Sequence, residues 1–404
     1  MTYPSRWLLS LMAAATIHFA PAAASAAEVF KVGLIADYTG AFAVWGPQFQ
    51  HAIEAYQALH GKTVKGPKGE DIEVQIVPRD AASGGPDKAK QLAEELILRE
   101  KVNMLAGFDL SPHAAAVAPI ITEARIPTVI MNAATASITR LSPYFVRDSD
   151  TLPSWSSTMG TWAAQNGIKR AVTVTADYAT GNDAAEYFAK AFKAGGGEIV
   201  DAIKVPIQET NFGVYMEKVL REKPDAIYIF IPSGSPSVAF VKAYAERGLK
   251  AAGVKLMGGG EFDQPYLPNF SDDVIGTYSV NHYTATNDRP ENKEMRDQIL
   301  KMFGPKAETD LASVGAWDGM QLIYLALREN GAHADGLKYI DSMKGKEIKS
   351  PRGPIMIDPV ERDIVQNLYI RRIDKIDGKL INVDIATFPM VKDPWKIDHP
   401  AEKK

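Results

Sequence analysis

Two loops of small and polar residues have the composition expected of an anion-binding site. Residues 107–112 (Gly-Phe-Asp-Leu-Ser-Pro) and residues 131–137 (Met-Asn-Ala-Ala-Thr-Ala-Ser) each follow a strand-like segment. Ser111 is predicted to cap a helix that has Pro112 at its first position. The free N–H groups and the positive dipole end of such a helix favour a negatively charged ligand, such as a carboxylate. The alternative for Ser111 is an ordinary helix cap with no ligand.

Aromatic side chains occupy two other loops that follow predicted strands. Residues 37–46 contain one Tyr, one Phe and Trp45, and Tyr178 precedes another helix-like segment. Aromatic residues are unfavourable to expose, so they indicate either a wall that covers a ligand or packing against the loop itself. Both interpretations stay open, and for any single residue packing against the loop is the commoner case.

Catalytic motifs are missing from the sequence. It contains no His-Glu-x-x-His zinc motif, no Walker loop and no Gly-x-Ser-x-Gly nucleophile elbow. His113 and His282 could approach a cleft, but each is interpreted as a surface or hydrogen-bonded residue rather than a catalytic base. We therefore predict no catalytic residue, no metal site and no cofactor, and an amidase or esterase stays the minor alternative.

The elements that position these loops alternate between strand and helix patterns. Residues 29–36 read as a buried strand, and the apolar residues at 49, 52, 53 and 56 share one helical face. Further helices are predicted at 86–100, 112–124, 152–165, 183–194, 212–221 and 237–247. This alternation predicts an α/β fold with parallel sheets covered by helices. Because the pattern restarts near residue 152, we expect two doubly wound parallel-sheet lobes.

The two ends of the chain depart from this alternation. Residues 353–357 and 364–373 are predicted to pair as strands. At the N-terminus, Arg6 precedes an apolar stretch of 14 residues and then a run of small residues ending at Ala27. This arrangement is typical of a secretory signal peptide, predicted as residues 1–26, with cleavage after Ala27 as the alternative. The competing interpretation is a buried N-terminal helix.

Composition narrows the classes of partner. The chain has 404 residues, of which 46% are hydrophobic, and a net charge of −4. Two domains with sizeable cores fit this length, and a nucleic-acid partner is not expected. The chain has no cysteine, which excludes disulfides, thiolate metal ligands and a cysteine nucleophile. Together with the predicted signal peptide, this indicates a soluble protein of the periplasm.

The chain resembles the type I periplasmic binding proteins of the leucine/isoleucine/valine-binding type, which serve ABC importers of hydrophobic amino acids. The resemblance covers nearly all of the mature chain and depends on the order and spacing of several short motifs. They are residues 31–35 (Lys-Val-Gly-Leu-Ile), Thr39-Gly40, Gly46, Asp80, residues 107–111, Ala133-Ala134-Thr135, Phe145-Val146-Arg147, residues 177–181 (Asp-Tyr-Ala-Thr-Gly) and residues 350–354 (Ser-Pro-Arg-Gly-Pro).

The resemblance implies a chain that crosses between the two lobes three times and so forms a three-segment hinge. One lobe would comprise residues 28–147 and 281–352, and the other residues 148–280 and 353–404. The ligand carboxylate would be bound by a serine and a small-residue loop, with one aromatic residue of each lobe around the rest of the ligand. The predicted ligand-binding residues are Trp45, Ser111, Ala133, Ala134, Thr135, Tyr178 and Glu261.

One position departs from the family pattern. Amino-acid binders of this family carry an acidic residue that pairs with the α-ammonium, and the matching position falls on Gly260, with Glu261 next to it. Either Glu261 meets an ammonium or no carboxylate does. In the second case a carboxylate without an amino group, such as an aromatic acid, is the better ligand, because burying an unpaired ammonium is costly.

The expected function is capture of a small carboxylate or hydrophobic amino acid by closure of the two lobes. The expected partner is an ABC permease in the inner membrane, and the protein is expected to be a monomer. A ligand-sensing receptor that feeds a signalling system is the alternative.

Overall fold

The computed structural model of the protein describes Met1, residues 27–40 and residues 42–400. The predicted signal peptide lies outside the described residues except for Met1. Within the described part, no helix combines the length and the apolar character that crossing a membrane requires.

The first sheet is built from the N-terminal third of the chain and has the strand order β2-β3-β1-β4-β5-β6. All neighbours are parallel except β2, which runs antiparallel to β3. The strands are β1 (Glu28–Ala36), β2 (Thr63–Lys65), β3 (Asp71–Asp80), β4 (Met104–Gly107), β5 (Thr128–Ile130) and β6 (Phe145–Arg147). Strands β4, β5 and β6 are buried on both faces, as expected of a parallel sheet covered by helices.

The second sheet follows and has the order β12-β13-β14-β11-β10-β9-β7-β8, with β15 paired to β14. Its strands are β7 (Arg170–Ala176), β8 (Glu198–Val205), β9 (Ala226–Phe230), β10 (Lys255–Gly258), β11 (Tyr278–Asn281), β12 (Glu347–Ser350), β13 (Gly353–Ile357), β14 (Ile364–Ile376) and β15 (Lys379–Val391). Strands β7 to β11 are parallel, whereas β11 to β15 pair antiparallel. The predicted pairing of residues 353–357 with 364–373 is confirmed.

Helices cover both sheets. They are α1 (Trp45–His60), α2 (Pro86–Leu98), α3 (Ser111–Ala124), α4 (Ile138–Leu141), α5 (Leu152–Gln165), α6 (Ala179–Ala194), α7 (Gly213–Glu222), α8 (Ser235–Glu246), α9 (Pro290–Phe303), α10 (Leu311–Asn330), α11 (Gly336–Met343) and α12 (Pro394–Asp398). Three short 3-10 helices lie at Gly260–Phe262, Gln264–Asn269 and Asp272–Val274. The predicted α/β fold with two mostly parallel sheets is confirmed.

The late helices return to the first sheet. Helices α9 and α10 pack against α1, and α11 contacts β6, although all three follow strand β11 of the second sheet. Helix α5, by contrast, packs on α6, β11 and β14. The chain therefore passes between the two groups of elements after β6, after β11 and after α11.

The lobe boundaries stay a prediction, with one difference at the last crossing. Residues 281–352 are predicted to end the first lobe, but β12 within that range forms an antiparallel ladder with β13 of the second sheet. Ser350 pairs with Gly353 across a two-residue turn, and a hairpin this tight keeps both strands in one sheet.

Candidate functional site

A cavity of about 110 Å³ lies where strands of both sheets end. In open α/β sheets this edge, beyond the carboxyl ends of the strands, is the usual place for a ligand. Its wall is formed by Phe42, Trp45, Asp109, Leu110, Ser111, Pro112, Asn132, Ala134, Asp150, Leu152, Trp155, Tyr178, Thr180, Ile207, Phe230, Ile231, Pro232, Ser233, Gly260, Glu261 and Leu311. Five of the seven predicted ligand-binding residues belong to this wall.

Ser111 is placed by a sharp turn between β4 and α3. Gly107 has φ of +99°, and a Cβ there would lie 2.4 Å from the carbonyl oxygen of Ile35, so only glycine fits this turn. The prediction that Ser111 caps the helix is wrong, because α3 begins at Ser111 itself and Leu110 holds the cap position without a side-chain bond. The Ser111 hydroxyl turns instead toward the neighbouring loop after β5.

The Ser111 hydroxyl accepts hydrogen bonds from residues that follow strands of both sheets. Its Oγ accepts hydrogen bonds from the backbone N–H groups of Ala134 and Thr135, each at 3.1 Å. The Thr180 hydroxyl, at the start of α6, donates to the same oxygen at 3.0 Å, and Thr135 Oγ1 lies 2.8 Å from Thr180 Oγ1. A hydroxyl has one proton and two acceptor lone pairs, so the three donors share these two lone pairs. With its acceptor capacity used, Ser111 has its own proton left to donate, and it lines the cavity.

The loop 133–135 supports the cavity more than it lines it. Ala134 belongs to the wall, whereas Ala133 and Thr135 do not, and Thr135 contributes through the bonds to Ser111 and Thr180. Arg147 holds the loop from behind, because its Nη1 donates to the carbonyl oxygens of Ala133 and Thr135 at 3.0 and 2.7 Å.

Two pairs of aromatic rings face the cavity from its two sides. Phe42, in the loop after β1, and Trp45, the first residue of α1, stack at 6.0 Å with an interplanar angle of 10°. Tyr178 and Phe230 stack at 6.2 Å and 27° at the ends of β7 and β9. Trp155 of α5 completes the aromatic part of the wall. Such surfaces match a flat, apolar ligand body.

Glu261 is buried at the cavity with its carboxylate already bonded to the backbone. Oε1 accepts from Ile231 N–H at 2.9 Å, and Oε2 accepts from Gly259 N–H at 2.6 Å. Burial raises the pKa of Glu261 to about 7, although these two backbone donors oppose the rise. Gly260, the position that the family pattern indicates, also lines the cavity, and Glu261 brings a carboxyl group there.

Asp150 is a further acid in the wall, beside Asp109 and Glu261, and it was not predicted from the sequence. It lies in the crossing segment between β6 and α5, is 3% exposed, and accepts no hydrogen bond from any described residue. Burial raises the pKa of Asp150 to about 7, while the charges of Arg147 and Arg352 lower it. The signal that could have found it is its place two residues before the start of α5, at one of the three crossings.

Three further wall residues were also missed. Phe230 is the last residue of β9, Trp155 lies in the first turn of α5, and Thr180 lies in the first turn of α6. Helix α6 begins at Ala179 instead of the predicted residue 183. A Cβ at Gly181 would lie 1.8 Å from the carbonyl oxygen of Ala176, so glycine lets the helix start directly against the strand.

His282 differs from its predicted surface or hydrogen-bonded state. It is fully buried, neither ring nitrogen has a hydrogen-bond partner in the described part of the chain, and its ring lies 5.4 Å from that of Trp155. Burial lowers the pKa of His282, and the charges of Arg352 and Arg371 lower it further, so the ring is neutral. It therefore packs behind the wall as an uncharged aromatic group.

The chain is similar to known solute-binding proteins over most of its length. The periplasmic binding protein family matches residues 29–379. A solute-binding protein of an ABC transporter from Rhodopseudomonas palustris BisB5, in complex with 3,4-dihydroxybenzoic acid, is 44% identical with a TM-score of 0.85, over 91% of this chain and 99% of that one.

Two further relatives show the same likeness. An R. palustris solute-binding protein in complex with 4-hydroxybenzoate is 41% identical with a TM-score of 0.88, over 92% of this chain and 100% of that one. The Leu/Ile/Val-binding protein homolog 6 of Brucella melitensis is 40% identical over 375 residues, which is 92% of this chain and 95% of the relative. With its two-sheet fold and its cavity at the strand ends, the chain belongs to the periplasmic binding protein family, among solute-binding proteins of ABC transporters.

Proposed function

We propose that the protein captures a small aromatic carboxylate of the benzoate type and delivers it to an ABC importer. The observation that carries this proposal is the pair of aromatic stacks, Phe42 with Trp45 and Tyr178 with Phe230, on the two sides of one small cavity. A flat ring between them would bury both of its faces. The two similar structures that hold hydroxylated benzoates support the same ligand class.

The carboxylate of the ligand is assigned to Ser111. None of the wall residues of the described chain is Lys or Arg, so the cavity offers hydroxyl and backbone donors to an anion instead of a cation. The Ser111 proton is the available donor, since its oxygen already accepts from Ala134, Thr135 and Thr180. Donors that polarise one another in this way strengthen the last hydrogen bond of the series.

A hydrophobic amino acid is the second candidate, and two of the three acids of the wall, Asp150 and Glu261, favour it. Asp150 and Glu261 would attract an α-ammonium if they are ionised. Ionised Asp150 and Glu261 would instead repel a ligand that has a carboxylate and no ammonium group. One of these two acids would therefore have to be protonated when an aromatic acid binds. The two ligand classes therefore predict opposite effects of pH on affinity.

Calorimetric titration at pH 6.5 and 8.5 tests the proposal with 4-hydroxybenzoate, benzoate and leucine. For the aromatic acids, we expect binding at both values with weaker affinity at pH 8.5, by at most about tenfold per pH unit for one proton. The variants Asp150→Asn and Glu261→Gln should each be titrated in the same way as the wild-type protein. The variant that replaces the acid protonated on binding should lose this pH dependence. Binding of leucine alone, with affinity that rises with pH, would contradict the aromatic assignment.

Capture by closure follows from the composition of the wall. Ligand would dock on Trp45, Ser111 and Ala134, and Tyr178 and Thr180 would then close over it. A ligand shifts the balance between open and closed forms only if it contacts both sides, which this wall provides. We infer that the protein is a periplasmic monomer and that an inner-membrane permease recognises its closed form. It binds the ligand and catalyses no reaction.

The enzyme and signalling alternatives have direct tests. Incubation of the pure protein with aromatic amides and esters should release no product, and turnover would overthrow the receptor assignment. Deletion of the gene should abolish uptake of labelled 4-hydroxybenzoate, whereas loss of a transcriptional or tactic response with unchanged uptake would indicate a signalling role.

A further inference from the structure

A buried cluster of three titratable side chains lies beside the ligand cavity, and one of them, Asp109, also belongs to the cavity wall. Asp37 follows β1, Asp109 follows β4, and His113 is in the first turn of α3. Their relative exposures are 0%, 3% and 2%. One possible ligand atom from each residue lies within 4.8 Å of the other two. The ligand-binding role assigned above uses none of these three groups as a contact to the solute.

The histidine ring has a defined orientation. Its Nε2 lies 2.7 Å from the carbonyl oxygen of Gly84, which can only accept, so Nε2 carries a proton. The other nitrogen, Nδ1, lies 3.6 Å from Asp109 Oδ1, which is too long for a hydrogen bond. A histidine that donates one N–H to a backbone carbonyl and presents the other nitrogen to carboxylates is the usual arrangement of a metal ligand.

The carboxylates also lack a donor at the centre of the cluster. Asp37 Oδ1 accepts from Ser83 N–H at 3.0 Å, but Asp37 Oδ2 is buried with no hydrogen-bond partner in the described part of the chain. Asp109 Oδ2 accepts from Asp37 N–H at 2.7 Å, and Oδ1 accepts from Leu110 N–H at 3.1 Å. Two oxygens and one ring nitrogen thus converge with no positive group between them.

We propose that Asp37, Asp109 and His113 bind a divalent transition-metal ion, with Zn²⁺ as the best fit. Zinc binds imidazole nitrogen and carboxylate oxygen at roughly 2.0–2.2 Å in tetrahedral geometry, which sets neighbouring ligand atoms about 3.4 Å apart. The 3.6 Å between His113 Nδ1 and Asp109 Oδ1 is close to that spacing. Mg²⁺ fits worse, because it requires near-octahedral oxygen coordination and retains several waters.

A proton on His113 Nδ1 is the competing explanation. It would neutralise the contact with Asp109, whose charge raises the pKa of His113 against the effect of burial. It would leave Asp37 Oδ2 without a partner, however, because one Nδ1 proton points to one acceptor. A metal ion satisfies all three atoms at once, which is the reason for preferring it.

A metal at this cluster would join two loops that carry the ligand wall. Asp37 begins the loop that bears Phe42 and leads to Trp45, and Asp109 precedes Ser111. Holding these loops together would pre-organise the wall, so metal and solute would strengthen each other's binding by the same factor. This coupling depends on the proposed function, whereas metal binding itself does not.

The test uses the untagged mature protein after dialysis against EDTA, titrated with ZnCl2 alone in a calorimeter. We expect one site per chain and a rise in melting temperature. Co²⁺ should give the visible absorption of a four- or five-coordinate ion. Asp37→Asn and His113→Gln should each weaken zinc binding at least tenfold, whereas His333→Gln, which changes an exposed histidine beside Glu28, should not.

The outcomes separate the two explanations. Absence of stoichiometric zinc binding by the wild-type protein would overturn the proposal whatever the variants do, as would equal binding by all three variants. An NMR signal showing a proton on His113 Nδ1 in the presence of excess zinc would also overturn it. Because no aromatic acid is present in this titration, its result does not depend on whether the protein binds an aromatic acid.

Discussion

Trp45 illustrates how one side chain can set the affinity of the cavity. It is half-buried, stacks on Phe42 and faces the ligand space after the turn that follows β1. Large aromatic side chains at the centre of a binding site contribute more than most of their neighbours, because they bury much area at little conformational cost.

Trp45→Ala should therefore weaken binding of 4-hydroxybenzoate by about 2–4 kcal/mol in calorimetric titration. Trp395→Ala is the control, since Trp395 stacks on His399 near the C-terminus, away from the cavity wall. Equal affinity of the wild-type protein and Trp45→Ala would remove Trp45 from the ligand site.

The buried Glu261 carboxyl predicts a pH dependence of stability. Its pKa is about 7 in the folded chain and 4.5 as the ordinary value, so the folded state binds the extra proton between these values. Its contribution to the free energy of unfolding is therefore highest below pH 4.5, falls as pH rises from 4.5 to 7, and is constant above.

Glu261→Gln should flatten this part of the profile, measured by urea unfolding at pH 5, 6, 7 and 8. The lost bond to Ile231 or Gly259 adds an offset that does not depend on pH, so the slope is the quantity to compare. Identical slopes in both proteins would show that Glu261 titrates normally in the folded state.

At the scale of elements, buried arginines hold the segments that cross between the two sheets. Arg352 donates through Nε and Nη2 to Asp318 Oδ2 of α10 at 2.9 and 2.7 Å. Its Nη1 donates to the carbonyl oxygen of Ser149 at 3.0 Å and to Gln366 of β14 at 2.8 Å. One guanidinium thus ties together a helix on the first sheet, a crossing segment and a strand of the second sheet.

Arg352→Met should lower the free energy of unfolding by about 3–5 kcal/mol, because it leaves the Asp318 carboxylate buried without its partner. Arg170→Met is the matched control, since the Arg170–Glu198 pair is largely exposed and should change stability by less than about 1 kcal/mol. The free energies of unfolding are measured with urea. Similar decreases in the two variants would contradict a larger contribution of Arg352 to stability.

Secondary-structure elements could be predicted from the sequence because they depend on the local periodicity of apolar residues. Side-chain roles that depend on contacts with residues remote in sequence were predicted less well. The alternation of strands and helices needs only the spacing of apolar residues, and both sheets follow from it. The cap role of Ser111 failed because its hydroxyl has a better set of donors in Ala134, Thr135 and Thr180, which are remote in sequence. Asp150 and Trp155 were missed for the same reason: only the fold brings the crossing segment to the cavity.

At the scale of the whole molecule, the wall contains residues that follow strands of both sheets. Ser111 and Thr180 belong to the two opposite sides and are hydrogen-bonded to each other at 3.0 Å. This contact belongs to a closed arrangement, in which the two sides enclose the ligand space.

Small-angle X-ray scattering should then detect closure. Addition of saturating 4-hydroxybenzoate should reduce the radius of gyration of the wild-type protein, because the ligand binds best to the form in which both sides touch it. Trp45→Ala should show the same reduction only at higher ligand concentration. A radius that no aromatic acid or amino acid changes would contradict the hinge mechanism.

The return of α9, α10 and α11 to the first sheet has a consequence for how the chain acquires its structure during synthesis. Fifteen of the 20 residues of α10 are buried, and this helix covers α1, yet it is made after eleven of the strands. A nascent chain that ends before residue 311 would therefore have a first sheet with one apolar layer uncovered, open to a chaperone or to aggregation. Its N-terminal half should become resistant to protease only once residues up to about 330 have left the ribosome or the export channel.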